Sequence, residues 1–384
     1  MFTADASDRL DCMNPHVREP DEGAAESPGE ATTSPLPPAP AEPAVLTARP
    51  TVKTVAALAG VSTTTVSRVL NYKADLLSDA TKARVFEAAR ELNYKPNSMA
   101  IALRKKVSQT IGLMIPDISN PYFHQIARGA EDTAMKHGYT VIFCNTDRSA
   151  SKELTYVDLL DEKRVDGVIL TGGGVDGDTH LADRLHEQAR VVAIGPHRLS
   201  YPSIGADDRG AIQAAVLHLV AGGRRRIACL GGQPGWLIHQ ERLAGYRAGL
   251  EESGITYDES LVMPSDLSID GGQQAVESAL RAGLSFDAIM SFSDYAALGA
   301  MRALKEAGLT IPDQVAIMGC DDSPLSQMVE PALSSITFPV WEFGSLATQM
   351  IVDMLNGRPV PASQVLPYQL RIRQSTAALR VLPS

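Results

Sequence analysis

The sequence predicts a small all-α head, opened by a helix-turn-helix, joined to a larger α/β body of two doubly wound lobes. Three observations carry this reading. A short basic segment with helical periodicity ends near residue 96, apolar strand-type runs alternate with helical stretches from about residue 108, and that alternation comes in two series. At 384 residues the chain has room for two or three domains with cores of their own.

Charge divides the chain at the same places. Residues 1–50 carry nine acids against three arginines, a net −6, and residues 51–106 carry ten Lys/Arg against four acids, a net +6. The remaining residues carry 22 basic and 32 acidic side chains, so the overall −10 conceals a basic island on an acidic body. That asymmetry is expected of a module that binds nucleic acid.

Composition narrows the function classes further. No run approaches the roughly 18 apolar residues of a membrane span. The N-terminus lacks the basic then apolar layout of a secretory signal. The four cysteines (Cys12, Cys144, Cys229, Cys320) are far apart and form no C-x-x-C pair, so reduced thiols are expected rather than a disulfide framework or zinc site. The eight histidines show no H-E-x-x-H spacing, and no G-x-S-x-G elbow is present. The expectation is a cytoplasmic protein that is not an enzyme, with no cofactor, no metal and no membrane partner.

Taken in order, residues 1–50 hold nine prolines, few aromatics and an acid excess, which predicts a disordered Pro/Ala-rich extension. Residues 51–96 form the head. In TVKTVAALAG, Val55, Leu58 and Ala59 fall at i, i+3 and i+4, and Gly60 closes a first helix. A second helix, Thr63–Leu70, follows Ser62 as N-cap and sets Val66, Val69 and Leu70 on its inner face. A third runs from a Ser78 cap through DATKARVFEAAREL, with Thr81, Val85, Ala88 and Leu92 as its stripe, and stops at Tyr94-Lys95-Pro96. In the body, TIGLMIP, YTVIFCNT, VDGVILT and ARVVAIG make a first strand series, and RRIACLGG, FDAIMSF and QVAIMGC make a second. The intervening helices often end in glycine (Gly138, Gly254, Gly283, Gly308). Ligands of such folds bind beyond the carboxyl ends of the strands.

The helix-turn-helix carries the sharpest chemistry. Its second helix enters the major groove in this motif, and residues near that helix's N-terminus reach base edges. Those residues are Thr63 and Thr64, then Ser67 and Arg68. Hydroxyls can donate or accept, and Arg68 can take guanine O6 and N7 together. Lys53, Lys73, Lys82, Arg84, Lys95 and Arg104 are candidate phosphate contacts. The run of three threonines, unfavourable for a helix, is offset by the Ser62 cap and the apolar inner face.

Several stretches resemble the lactose-repressor (LacI/GalR) family of bacterial transcription regulators. They are TVKTVAALAGVSTTTVSRVLN, ELNYKPNSMAIALR, TIGLMIPDISNPYFHQIARGAE, RVDGVIL, ERLAGYRAGLEESGI, SDYAALGAMRALKEAGL and VAIMGCDDSPL. The resemblance covers essentially everything from Thr51 onward. It implies a body like the periplasmic sugar-binding proteins over residues 108–384. The N-lobe would comprise about 108–206 and 338–366, and the C-lobe about 207–337 and 367–384. Residues 97–107 match the linker, with NSMAIALR as its hinge helix and Leu103 as the apolar wedge at the operator centre. Ile101 departs from the arginine of many members. Asn71, closing VSRVLN, joins the DNA-contacting set.

The resemblance also implies a homodimer on a pseudo-palindromic operator and a small-molecule effector, a sugar, in the cleft between lobes. Tyr122 and Phe123 match the aromatics that stack on the effector, Arg242 the pocket arginine, and Asp321 the carboxylate at the back. Ser293 and Asp294 stand where relatives often have Asn-Asp. Leu267 stands where they place an aromatic wall, and Gly195 where many place an acid. Carboxylates and a guanidinium around one cleft suit a ligand rich in hydroxyls. Asp294 reads equally well as a helix N-terminal acid favoured by the dipole.

Two other readings compete. Gly172-Gly-Gly-Val-Asp-Gly177 fits G-x-G-x-x-G after a strand, but the next strand ends in Gly195-Pro196-His197-Arg198 without the ribose-binding acid, which favours an ordinary loop over a dinucleotide site. A sugar-binding receptor without a regulatory role is opposed by the basic head. The sequence is compatible with more than one effector, with an inducer or a corepressor, and with assembly beyond a dimer.

Overall fold

The computed structural model describes residues 50–70, 77–94, 107–174, 176–185 and 190–377. The extension up to residue 49, the linker through residue 106 and the candidate DNA contacts Asn71, Lys73, Lys95, Leu103 and Arg104 lie outside the described residues. The chain divides into two compact units, Met1–Tyr94 and Lys95–Ser384.

The first unit holds three helices, α1 (Val52–Ala59), α2 (Thr63–Leu70) and α3 (Asp79–Glu91). Thr51 and Thr54 cap α1 reciprocally, and Gly60 ends it in the left-handed conformation at φ 62°. Val55, Ala56, Ala59, Val66, Val69, Val85, Ala88 and Ala89 make the core. Leu58 does not join it. It is 47% exposed, and Ala56 takes the inward place, because on a helix this short the buried stripe turns about i and i+1 as well as i+4.

The second unit follows the strand–helix alternation. The chain runs β1 (Thr110–Ile115), α4 (Pro121–Lys136), β2 (Thr140–Asn145), α5 (Ala150–Glu162), β3 (Gly167–Thr171), β4 (Val191–Ile194) and β5 (Ser203–Ala206) in one lobe. It crosses to the other through α6 (Asp208–Ala221), β6 (Ile227–Gly231), α7 (Leu237–Glu252), β7 (Val262–Pro264), α8 (Ile269–Arg281), β8 (Ala288–Ser291), α9 (Asp294–Glu306), β9 (Ala316–Cys320) and β10 (Ser334–Thr337). It returns for α10 (Val340–Leu355) and β11 (Ser363–Leu366), and crosses a third time to β12 (Gln369–Arg371). The sheets order as β11-β5-β4-β3-β1-β2 and β12-β10-β9-β8-β6-β7. All pairings are parallel except β10 with β12. Central strands such as β4, β6, β8 and β9 are buried along their whole length, as covering on both faces requires.

Helices on one lobe face pack at glycines. A Cβ on Gly129 of α4 would strike the Trp341 carbonyl, and one on Gly344 of α10 would strike the Ile126 carbonyl, so the two backbones meet directly. Cys144, Cys229 and Cys320 are buried free thiols. Among the described residues no helix is long and apolar enough to cross a membrane.

Candidate nucleic-acid interface and ligand cleft

In the head, Ser62 Oγ accepts the Thr65 backbone N–H at 3.1 Å, and the two hydroxyls meet at 2.9 Å. The third threonine of the run therefore closes the cap from within the first turn, while Thr63 and Thr64 point outward. Thr63, Thr64 and Arg68 are exposed, Ser67 is half-buried, and Val66 and Val69 are buried on the opposite side. The helix thus offers one polar face able to enter a groove. Lys53 and Arg84 are exposed, whereas Lys82 sits 3.0 Å from the Asp79 carboxylate.

In the body, a cavity of about 410 Å³ lies between the lobes. Asn120 caps α4 by accepting the Tyr122 N–H at 2.9 Å, with Pro121 in the first turn, and this places Tyr122 and Phe123 at the cavity wall. Their rings meet edge to face at 5.2 Å. From the other lobe come Arg242 of α7, Leu267, Ser293 and Asp321. Arg242 donates through Nε to Asp208 at 2.8 Å and through Nη1 to the Phe292 carbonyl. Burial works against its charge, but Cys320, Asp208 and Asp321 outweigh burial and raise its pKa. Burial pushes the Asp321 carboxyl well up despite Arg242, and burial likewise raises the Tyr122 phenol.

The backbone around the cavity is strained. Asp147 (φ 51°), Arg148 (φ 52°), Leu267 (φ 65°) and Asp321 (φ 113°) line it in the left-handed region, which non-glycine residues rarely adopt. Gly195 lines it at φ 88°, so the wall there is bare backbone.

Comparison with known proteins agrees with this arrangement. Residues 51–97 match the family described as bacterial regulatory proteins, lacI family, and residues 216–376 match the periplasmic binding protein-like domain. The ribose operon repressor of Halalkalibacterium halodurans is 35% identical over 330 residues, spanning 85% of this chain and 97% of the relative. The chain belongs to the lacI family. It is a DNA-binding transcriptional regulator. The repressor CytR of Escherichia coli K12 is also 35% identical, over 86% of this chain and 97% of its own length. Among solved structures, a lac repressor dimer bound to operator and the anti-inducer ONPF aligns at TM-score 0.77 with 30% identity, covering 85% of this chain and 99% of that one. A CelR–cellobiose complex aligns at TM-score 0.65 with 31% identity, covering 85% and 100%.

Within this lacI-family body, one candidate departs from its expected place. Asp294 does not reach the cavity. It is buried, accepting the Ser335 hydroxyl at 2.5 Å and the Ser323 N–H at 2.6 Å. Burial pushes its pKa up to about 7. Its carboxylate turns inward to the sheet end because both donors lie there, so it anchors the loop that presents Asp321. Ser293 lines the cavity, but its hydroxyl caps α9 by accepting the Tyr295 N–H at 3.2 Å.

Sequence reasoning missed Asp208, Arg148 and Trp236, all of them lining the cavity. Asp208 looks like any acid at a helix start, and the other two carry no motif. The glycines of Gly172–Gly174 are followed by a 3₁₀ turn, Asp176–Leu181, instead of the helix whose N-terminus would hold a pyrophosphate, and Gly172 itself lines the cleft.

Proposed function

We propose that this regulator represses transcription from a pseudo-palindromic operator as a cytoplasmic homodimer, and that a hydroxyl-rich small molecule, a sugar, bound between the lobes changes its operator affinity. It acts as a regulator and not as a catalyst. Thr63, Thr64, Ser67 and Arg68 read base edges, and Lys53 and Arg84 contact phosphates. Phe123 covers an apolar face of the ligand, while Arg242 and Asp321 bond its hydroxyls. The observation that carries this reading is the convergence of Phe123, Arg242 and Asp321 from two lobes on one cavity. The relatives named for the ribose operon and solved with cellobiose support a sugar as effector. Because each lobe supplies part of the wall, a ligand that touches both favours one inter-lobe angle, and such differential binding is what shifts a conformational equilibrium.

The test begins with a thermal-shift screen of sugars, since a ligand that binds the folded state raises its melting temperature. A hit is expected to change affinity for a duplex from the protein's own upstream region, and to do neither in Arg242→Ala. A cleft-bound ligand that leaves DNA affinity unchanged overturns the proposal.

A further inference from the structure

The two arginines of the cleft are treated differently by the fold. Arg242 is held by Asp208 and by a carbonyl. Arg148, in the turn after β2, donates through Nη1 to the Gly172 carbonyl at 3.1 Å, and its guanidinium carbon lies 4.3 Å from the centre of the Trp236 ring, which belongs to the other lobe. Among the described residues no carboxylate comes within ion-pair distance of Arg148. Most of its five N–H donors are left for a ligand.

The neighbouring acids have other duties. Of the acids whose charge reaches Arg148, Asp117 accepts from Ser119, Glu153 pairs with His180, and burial raises the Asp321 carboxyl; nearby, Asp147 pairs with Lys152 and Asp266 accepts from Ser268. Burial and the like charge of Arg242 bring the Arg148 pKa down to about 10, so the side chain stays cationic at neutral pH. Two guanidiniums that repel across a cleft are relieved by an anion placed between them.

We infer that Arg148 is a specificity-determining residue that selects a ligand bearing a carboxylate or phosphate on a hydroxylated body. The anion sits on Arg148 beside Trp236, and the hydroxyls point to Arg242 and Asp321. This rests on the cleft being the effector site. The planar guanidinium, already stacked on an indole, presents a fork that matches both anions.

The test uses the full chain and three sets of probes, read by thermal shift and by tryptophan fluorescence. The first set is neutral glucose, galactose and ribose; the second is glucuronate and galacturonate; the third is glucose 6-phosphate and ribose 5-phosphate. At least one anionic probe is expected to bind tenfold or more tighter than its neutral parent, and the second and third sets tell carboxylate from phosphate. Arg148→Met should abolish that preference and Arg148→Lys should keep part of it, with wild-type preference alone sufficient should a variant misfold. Neutral sugars binding as well as their anionic counterparts, with Arg148→Met unaltered, overturns the inference and leaves the cleft reading standing. No binding by any anionic probe also overturns it. Binding that survives in both Phe123→Ala and Arg242→Ala defeats the cleft reading as well.

Discussion

Arg242 and Asp208 form an ion pair at 2.8 Å with side chains only 9% and 12% exposed, so the cleft floor rests on a nearly dry guanidinium–carboxylate contact. Asp208 opens α6 immediately after the chain first crosses between lobes, and Arg242 reaches it from α7. Removing one partner of a buried pair leaves the other charge uncompensated, at a cost of about 3–5 kcal/mol. Arg242→Met is therefore expected to lower the stability of the body by roughly 3 kcal/mol, and Asp208→Asn to lower it as well. The double variant should lose less than the sum, as chemical denaturation of all four proteins will read. Strict additivity would mean that the pair is not coupled.

The buried Asp294 carboxyl predicts a pH dependence. Its pKa stands near 7 in the folded chain against 3.8 ordinarily, with burial as the first cause. A group raised in this way contributes stability that is fully present below its unfolded pKa and is lost as pH rises through the folded one. The window is therefore about pH 4 to 7. The melting temperature of the wild type should fall relative to Asp294→Asn between pH 4 and 7, because the variant has no proton to lose there. Parallel curves for the two proteins would contradict the assignment. Asp294→Ala should cost about 1–3 kcal/mol at pH 5, since the Ser323 N–H and the Ser335 hydroxyl lose their acceptor, and less at pH 8, where the wild type has itself lost the proton's contribution.

Backbone-to-backbone packing of α4 on α10 predicts intolerance to a single methyl group. With Gly129 against the Trp341 carbonyl and Gly344 against the Ile126 carbonyl, either Gly→Ala change must push the helices apart. Overpacking of this kind costs about 1–3 kcal/mol. Both single variants should melt earlier than wild type, whereas alanine at the open Gly235 should not show an overpacking penalty.

How much of this was legible in sequence depended on whether a residue's role is local. The apolar runs of β1, β3, β4, β6, β8 and β9 announce themselves because a strand covered on both faces must be apolar throughout. β5 (SIGA), β10 (SSIT), β11 (SQVL) and β12 (QLR) are short and partly polar, and they become strands only through partners distant in sequence. In the cleft, Phe123, Arg242 and Asp321 stand in stretches that mark them. Arg148 and Trp236 are 88 positions apart and meet only because two lobes close on each other. Asp294 and Asp208 look alike in sequence, each an acid in the first turn of a helix, yet one turns to buried serines and the other to the cleft arginine. Leu58 shows the same limit in the head, where helical spacing alone chose the wrong side chain for the core.

Specific reading of DNA by α2 is the feature on which regulation by this protein depends. The most direct measurement is fluorescence anisotropy of the full chain on a duplex from its own upstream region and on a shuffled duplex, with wild type and Arg68→Ala at one fixed salt concentration. Wild type is expected to prefer the upstream duplex by about 1000-fold or more, and Arg68→Ala to lose about 1–3 kcal/mol of that discrimination. Equal affinity of both proteins for the two duplexes would contradict the claim.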